Sequence, residues 1–162
     1  MQRKRVYLES SVISYLTARQ SNDILKLAKQ KLTKDWWKTR NQYDLFVSQT
    51  VIDEITRGDP AAAERRVQAI AEIECLAWVQ TVDDLVDALV DSRAVPPEFR
   101  DDAFHIAIAA IHTIDYLLTW NQKHIVNKHQ QRRIDEVVQS FQFTPSLLLT
   151  PEQFWEIQHE TT

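Results

Sequence analysis

The chain has 162 residues, 44% hydrophobic and 26% charged, with a formal net charge of -4, which predicts one globular domain that spans residues 1–162. Its single cysteine excludes an intrachain disulfide and a thiolate zinc cluster, and its single glycine excludes a glycine-rich phosphate loop. Because no apolar run reaches the roughly 20 residues of a membrane span and no export signal opens the chain, we expect a cytoplasmic protein without a membrane partner.

Short apolar runs alternate with amphipathic helical patterns along the whole chain. The predicted strands are 5–8, 45–48, 76–79, 116–118 and 147–149. The predicted helices are 12–16, 24–40, 51–58, 60–73, 82–90, 101–112, 130–141 and a last short one from 151. The N-caps predicted for the first four are Ser11, Asp23, either Ser48 or Thr50, and Asp59. This alternation predicts a mainly parallel sheet of four or five strands, covered by helices on both faces.

Acidic residues lie at the ends of three strands or on the helices after them, near the edge where right-handed crossovers place every strand-to-helix turn. They are Glu9, Glu54 and the adjacent pair Asp101 and Asp102. Carboxylates from distant segments repel one another unless a partner such as a divalent cation offsets their charge. Because the hard cations Mg2+ and Mn2+ prefer carboxylate oxygens, an all-acid site points to these ions and to hydrolysis of a phosphate ester.

Each acid also has a structural interpretation. Glu54 favours the dipole of its own helix, Asp101 or Asp102 is placed to cap the next one, and Glu9 has the option of an arginine partner. Two observations favour a functional site. Asp102 shares a stripe with His105, the polar gap in a helix that is otherwise apolar, and Glu9 follows a buried strand where an unpaired carboxylate is costly.

Other polar and aromatic residues are open to two interpretations. Segments 26–40 and 122–134 are rich in basic residues and suit contact with a nucleic acid, but they are equally typical of solvated helix faces. Trp36 and Trp37 continue an apolar stripe, so we expect them to pack in the core. His105 and His112 are expected to be core or interface histidines bonded to backbone carbonyls.

Four motifs occur in order along the chain. They are YLESSVISYL from residue 7, SQTVIDEI from residue 48, DAFHIA from residue 102 and LLTWNQKHI from residue 117. In this order and spacing they resemble the motifs of the PIN-domain nucleases, in particular the VapC-like ribonuclease toxins. The resemblance covers nearly the whole chain and implies a three-layer α/β/α sandwich, dependence on Mg2+ or Mn2+, and cleavage of RNA. Toxin members are usually homodimers that a small antitoxin holds inactive.

The resemblance also implies roles for individual residues. Glu9, Glu54 and Asp102 correspond to the metal-binding acids, and Asn121 joins them in the catalytic set. The chain departs from the pattern twice, because Glu9 stands where aspartate is common and Asn121 where a fourth acid is frequent. The residues expected to support the acids or contact the substrate are Ser11, Asp101, Trp120 and His124.

These inferences lead to one main hypothesis and two rivals. The main one is a metal-dependent endoribonuclease, the toxin of a toxin-antitoxin pair, with RNA as substrate and an antitoxin protein as partner. The first rival is a catalytically weak or inactive PIN-like module that binds RNA or a protein. The second is a structural dimer whose acids serve only to cap helices.

Overall fold

A single five-stranded sheet lies at the centre of the protein, in a computed structural model that describes residues 2–123 and 128–160. Its strands are β1 (Arg5–Leu8), β2 (Asp44–Ser48), β3 (Glu74–Leu76), β4 (Tyr116–Leu118) and β5 (Leu147–Leu149). All four neighbouring pairs are parallel, in the order β3-β2-β1-β4-β5. The central strand is β1, so Glu9, which follows it, lies in the middle of the carboxyl edge of the sheet.

Eight helices cover the two faces of the sheet in the described part of the chain. They are α1 (Ser10–Thr17), α2 (Ile24–Trp37), α3 (Gln49–Ile55), α4 (Pro60–Ala69), α5 (Gln80–Asp91), α6 (Arg100–Ile111), α7 (Lys128–Ser140) and α8 (Pro151–Glu160). One group is formed by α1 with α2, α3 and α4, and by α8 against α2, whereas α5 packs on α6 and α7. The predicted three-layer α/β/α sandwich is thereby confirmed. Between residues 2–123 and 128–160, no helix is long and apolar enough to cross a membrane.

The predicted N-caps are confirmed for three helices and wrong for one. Asp23, Ser48 and Asp59 accept hydrogen bonds from backbone N–H groups in the first turns of α2, α3 and α4. The cap of α1 is Glu9 and not Ser11, because the longer Glu9 side chain folds back to accept the N–H of Ser11. The helix therefore begins at Ser10, directly after the strand.

The third strand and the ends of three helices differ from the predictions. Strand β3 is Glu74–Leu76 and not 76–79, because its partner β2 ends at Ser48, which is paired with Leu76, and offers no further backbone groups. Helices α2, α3 and α4 end at Trp37, Ile55 and Ala69, before the predicted residues 40, 58 and 73. Gly58, with φ +87, lies in the turn that follows α3.

The core lies on both faces of the central strands. Tyr7 and Leu8 of β1 and Leu117 of β4 are fully buried, as is Trp36 of α2. The ring of Trp36 stacks on Tyr43 and meets the edge of Phe154, and Trp37 packs beside it. The predicted packing role of these two tryptophans is thus confirmed.

Replacing a buried leucine should measure how much the central strands contribute to stability. We expect Leu117→Ala to lower the free energy of unfolding by about 2–5 kcal/mol, because it removes a fully buried side chain and leaves a cavity. The matched control is Leu147→Ala on β5, whose side chain is 50% exposed and should cost well under half as much. Urea unfolding measures both, and equal losses would contradict this assignment of the core.

Candidate metal centre

The carboxylate of Glu9 is buried at the carboxyl end of β1, with 6% of the residue exposed. Besides the N–H of Ser11 at 3.1 Å, three hydroxyl groups donate hydrogen bonds to it. Those of Ser10 and Thr119 lie at 2.6 Å, and the third belongs to Ser11. A carboxylate has about four lone-pair positions, so these donors together satisfy the group.

Two opposing effects set the protonation state of Glu9. Burial raises its pKa, because it removes water from the charged form. The charge of His105 and the hydroxyl donors Ser10, Ser11 and Thr119 outweigh burial and bring the pKa of Glu9 below its ordinary value of 4.5. The group is therefore a buried carboxylate that stays ionised at neutral pH.

His105 is fully buried on α6, and both of its ring nitrogens are engaged. Its Nε2 lies 2.7 Å from Oε1 of Glu54, and its Nδ1 lies 2.5 Å from the hydroxyl oxygen of Tyr7. That hydroxyl oxygen in turn lies 2.7 Å from Oγ of Ser48. Burial lowers the pKa of His105, but the hydrogen bond with Glu54 and the charges of the nearby acids raise it above the ordinary value of 6.5.

The sequence predicts that His105 of α6 and His112 at its C-cap bond to backbone carbonyls, and His112 alone does so. His112 bonds through Nε2 to the backbone carbonyl of Ala77 at 2.7 Å, as predicted. His105 is buried as predicted, but its partners are the carboxylate of Glu54 and the hydroxyl of Tyr7 instead of a carbonyl. The reason is that α6 crosses α3 at the carboxyl edge, where the end of α3 presents Glu54.

Glu9, Glu54 and His105 form a group that could hold a metal ion, with one ligand atom from each residue within 4.8 Å of the others. The two carboxylate oxygens suit Mg2+ or Mn2+, whereas an imidazole nitrogen also suits Zn2+. Glu9 and Glu54 are brought together as the sequence predicts, although they are far apart along the chain. In charge and in donor atoms, the group fits a divalent cation.

Asp102 lies beside this group and not within it. In the first turn of α6 its Oδ2 accepts a hydrogen bond of 3.1 Å from Nδ2 of Asn121, which follows β4. Its negative charge contributes to the raised pKa of His105, one turn further along the same helix. Of the described residues, it is His105 and not Asp102 that completes the close group with Glu9 and Glu54. Asp102 and Asn121 thus form a second pair at the same edge.

The supporting residues predicted from the sequence occupy different environments. Ser11 donates to Glu9 and also accepts the N–H of Trp120 at 2.9 Å, so it links β1 to the end of β4. The ring of Trp120 is 7% exposed and its Nε1 donates to Thr33, which leaves little surface for stacking on a base. Asp101 is exposed in the first turn of α6, and His124 lies outside the described residues.

Sequence reasoning missed Ser10 and His105, described above, and three further residues of this site. Thr119, which donates to Glu9, lay inside the fourth motif but was treated as a strand end. Tyr7 and Ser48, which continue the hydrogen bonds of His105, lay in the first and second motifs as a strand residue and a helix cap. The sequence did contain a signal for these three hydroxyl residues, because Tyr7 lies two positions before Glu9, and Ser48 and Thr119 lie at the ends of strands.

The fold of the chain is similar to that of known proteins, although its sequence is not. No protein-family model and no curated protein sequence matches the chain. Among solved structures it is similar to VapBC2 from Rickettsia felis bound to a promoter DNA fragment, with a TM-score of 0.57 and 10% identity over 90% of this chain and 98% of that one. The chain has the PIN-like fold of a VapC protein.

A second similar structure is VapC20 from Mycobacterium tuberculosis, described as a toxin that cleaves the sarcin-ricin loop. Its TM-score is 0.53 and its identity 17%, and the match covers 73% of this chain and 91% of the VapC20 chain. Both identities are low, so the likeness to VapC concerns the architecture and the order of the elements.

The raised pKa of His105 predicts a pH dependence of stability in metal-free protein. A group with a raised pKa in the folded state stabilises the fold fully below its unfolded-state pKa, here 6.5, and loses this contribution as the pH rises through the folded-state pKa. We therefore expect the stability difference between wild type and His105→Gln to shrink as the pH rises above 6.5. Urea unfolding with a chelator measures this difference, and a value that does not change with pH would mean that folding leaves the pKa of His105 unshifted.

Proposed function

We propose that the chain is a metal-dependent endoribonuclease. The observation that carries the proposal is the convergence of Glu9 and Glu54, which each place a carboxylate oxygen within 4.8 Å of the other and of a ring nitrogen of His105. Two buried or half-buried acids of like charge are costly to bring together unless a cation uses them. The fold shared with VapC20, a toxin that cleaves an RNA loop, supports RNA as the substrate class.

The proposed cofactor is Mg2+ or Mn2+, held by Glu9 and Glu54, with Asp102 as the third acid. Such a cation supplies Lewis acidity and shields the negative charge of a phosphodiester. The hydroxyl donors keep Glu9 oriented and ionised, and the amide of Asn121 orients Asp102 at 3.1 Å. Asp102 then borders the acidic edge that a substrate phosphate meets.

The proposal extends to the partners of the chain. The fold shared with VapBC2, which was determined with promoter DNA, supports an antitoxin protein as partner, and with it the role of toxin in a toxin-antitoxin pair. We further propose a homodimer that acts in the cytoplasm, as the resemblance to the VapC-like toxins implies.

Removal of single acids tests the nuclease proposal. We expect wild type to cleave RNA with Mn2+ or Mg2+, and Asp102→Asn or Glu54→Gln to lose about 100-fold or more in rate, because each removes a charge that faces the reacting phosphate. The matched control is Asp53→Asn, an exposed acid that neighbours Glu54 on α3 and pairs with Gln49. Cleavage of a labelled RNA measures all four proteins.

Equal cleavage by wild type and Asp102→Asn would remove Asp102 from the site. Loss of activity in the Asp53→Asn control would show that the assay reports general damage to α3 and not loss of a metal-binding acid.

A second candidate function is a PIN-like module that binds RNA or a protein without cutting. It is favoured by the hydrogen bonds to Glu9, which already satisfy its carboxylate, and by the neutral Asn121 in place of a fourth acid. Each of these features weakens the attraction for a cation.

Calorimetric titration with Mn2+ separates the two functions. A nuclease is expected to bind the ion at millimolar concentration or below, and binding should be lost in Glu54→Gln. Absence of Mn2+ binding together with intact affinity for RNA would favour the binding module.

A further inference from the structure

We propose that His105 is a positioning residue, which holds the carboxylate of Glu54 beside Glu9 through a buried chain of hydrogen bonds anchored on Ser48. The inference rests on the metal-dependent function proposed above, and adds to it a residue that does not itself bind the ion. The ring of His105 is fully buried, and its two nitrogens contact Tyr7 and Glu54.

The chain of hydrogen bonds begins and ends on the same helix. Ser48 caps the start of α3 by accepting the N–H of Val51, and its Oγ lies 2.7 Å from the hydroxyl of Tyr7. Tyr7 contacts Nδ1 of His105 at 2.5 Å, and Nε2 of His105 contacts Glu54 near the end of α3 at 2.7 Å. Nε2 of His105 donates to the carboxylate of Glu54, and the hydroxyl groups of Tyr7 and Ser48 can each rotate to donate or accept, so the directions of all these bonds can agree.

The helix that carries Glu54 needs such support. With seven residues α3 is too short to be stable by itself, so its geometry depends on contacts with its surroundings. Through β1 and α6, Tyr7 and His105 connect the two ends of α3. Because Ser48, Tyr7 and His105 are fully buried, water does not compete for the hydrogen bonds among these three residues.

The charge of Glu54 also requires a partner. The side chain of Glu54 is 20% exposed and lies next to the ionised Glu9, whose like charge favours rotation of Glu54 toward solvent. Among residues 2–123 and 128–160, His105 is the one group that donates a hydrogen bond to the Glu54 side chain. Without His105, nothing in that part of the protein fixes the carboxylate toward the site.

If His105 were itself a metal ligand, its ring would make a different contact. For Nε2 to bind a cation, it would have to give up its hydrogen bond of 2.7 Å with Glu54. A positioning ring leaves a site of carboxylate oxygens, which prefers Mn2+ or Mg2+, whereas a ligating imidazole would shift the preference toward Zn2+. The two roles therefore differ in metal preference and in the atoms bound to the ion.

The first experiment compares four variants with wild type in Mn2+ calorimetry and RNA cleavage. We expect His105→Ala to weaken Mn2+ binding and kcat about 10- to 100-fold, the usual range for residues that orient ligands, with KM for RNA unchanged. His105→Gln keeps an amide donor near the position of Nε2, so it should retain most of the wild-type Mn2+ affinity and kcat. The Mn2+ affinity and kcat of Tyr7→Phe should fall between those of the two His105 variants. The control His112→Gln, at the C-cap of the same helix, should match wild type.

The second experiment uses the spectrum of bound Mn2+. Electron spin echo modulation of the wild-type complex should show no directly bonded nitrogen if His105 only positions Glu54. A strong coupling to nitrogen that disappears in His105→Gln would make His105 a ligand and overturn the proposal.

The remaining outcomes separate this inference from the proposed function. If wild type neither binds Mn2+ nor cleaves RNA, the proposed function fails and this inference fails with it. If wild type does both and His105→Ala is folded and equal to it, the inference alone fails. If His105→Ala does not fold, Tyr7→Phe tests the inference in its place. Unchanged Mn2+ affinity and kcat in Tyr7→Phe would show that the chain of hydrogen bonds does not position Glu54.

Discussion

The repulsion between the carboxylates of Glu9 and Glu54 is the constraint that organises the carboxyl edge of the sheet. Each carboxylate is stabilised by a different set of hydrogen bonds: hydroxyl and backbone donors surround Glu9, and the imidazole of His105 donates to Glu54. In this way the fold keeps two like charges close together in metal-free protein. The charge of His105 offsets part of the charge that a cation would otherwise have to supply.

These interactions also connect the parts of the fold. Through Glu9, strand β1 is tied to α1 and to the end of β4, and through His105, helix α6 is tied to α3. The helical layers on the two faces of the sheet meet at this edge, where α3 contacts α6. The stability of the edge and the geometry of the site therefore depend on the same bonds.

The sequence was sufficient for the fold class, the parallel sheet and the convergence of Glu9 with Glu54, because alternating strands and helices place the ends of parallel strands at one edge. It was insufficient for β3, whose length is set by where β2 ends, and for the cap of α1, which depends on the reach of a side chain. It also misjudged His105, since a histidine on an apolar helix carries no sign of which buried group it will meet.

Glu9 has a structural role that is separate from any chemistry, because it caps α1 and accepts a hydrogen bond from the hydroxyl of Thr119 at the end of β4. A chain with this fold and no metal chemistry would still need an acceptor at this position. The presence of Glu9 in a related sequence therefore says little about catalysis. Asp102 lies in the first turn of α6, whose N-cap Phe99 makes no side-chain cap hydrogen bond, so helix capping does not account for an acid at this position.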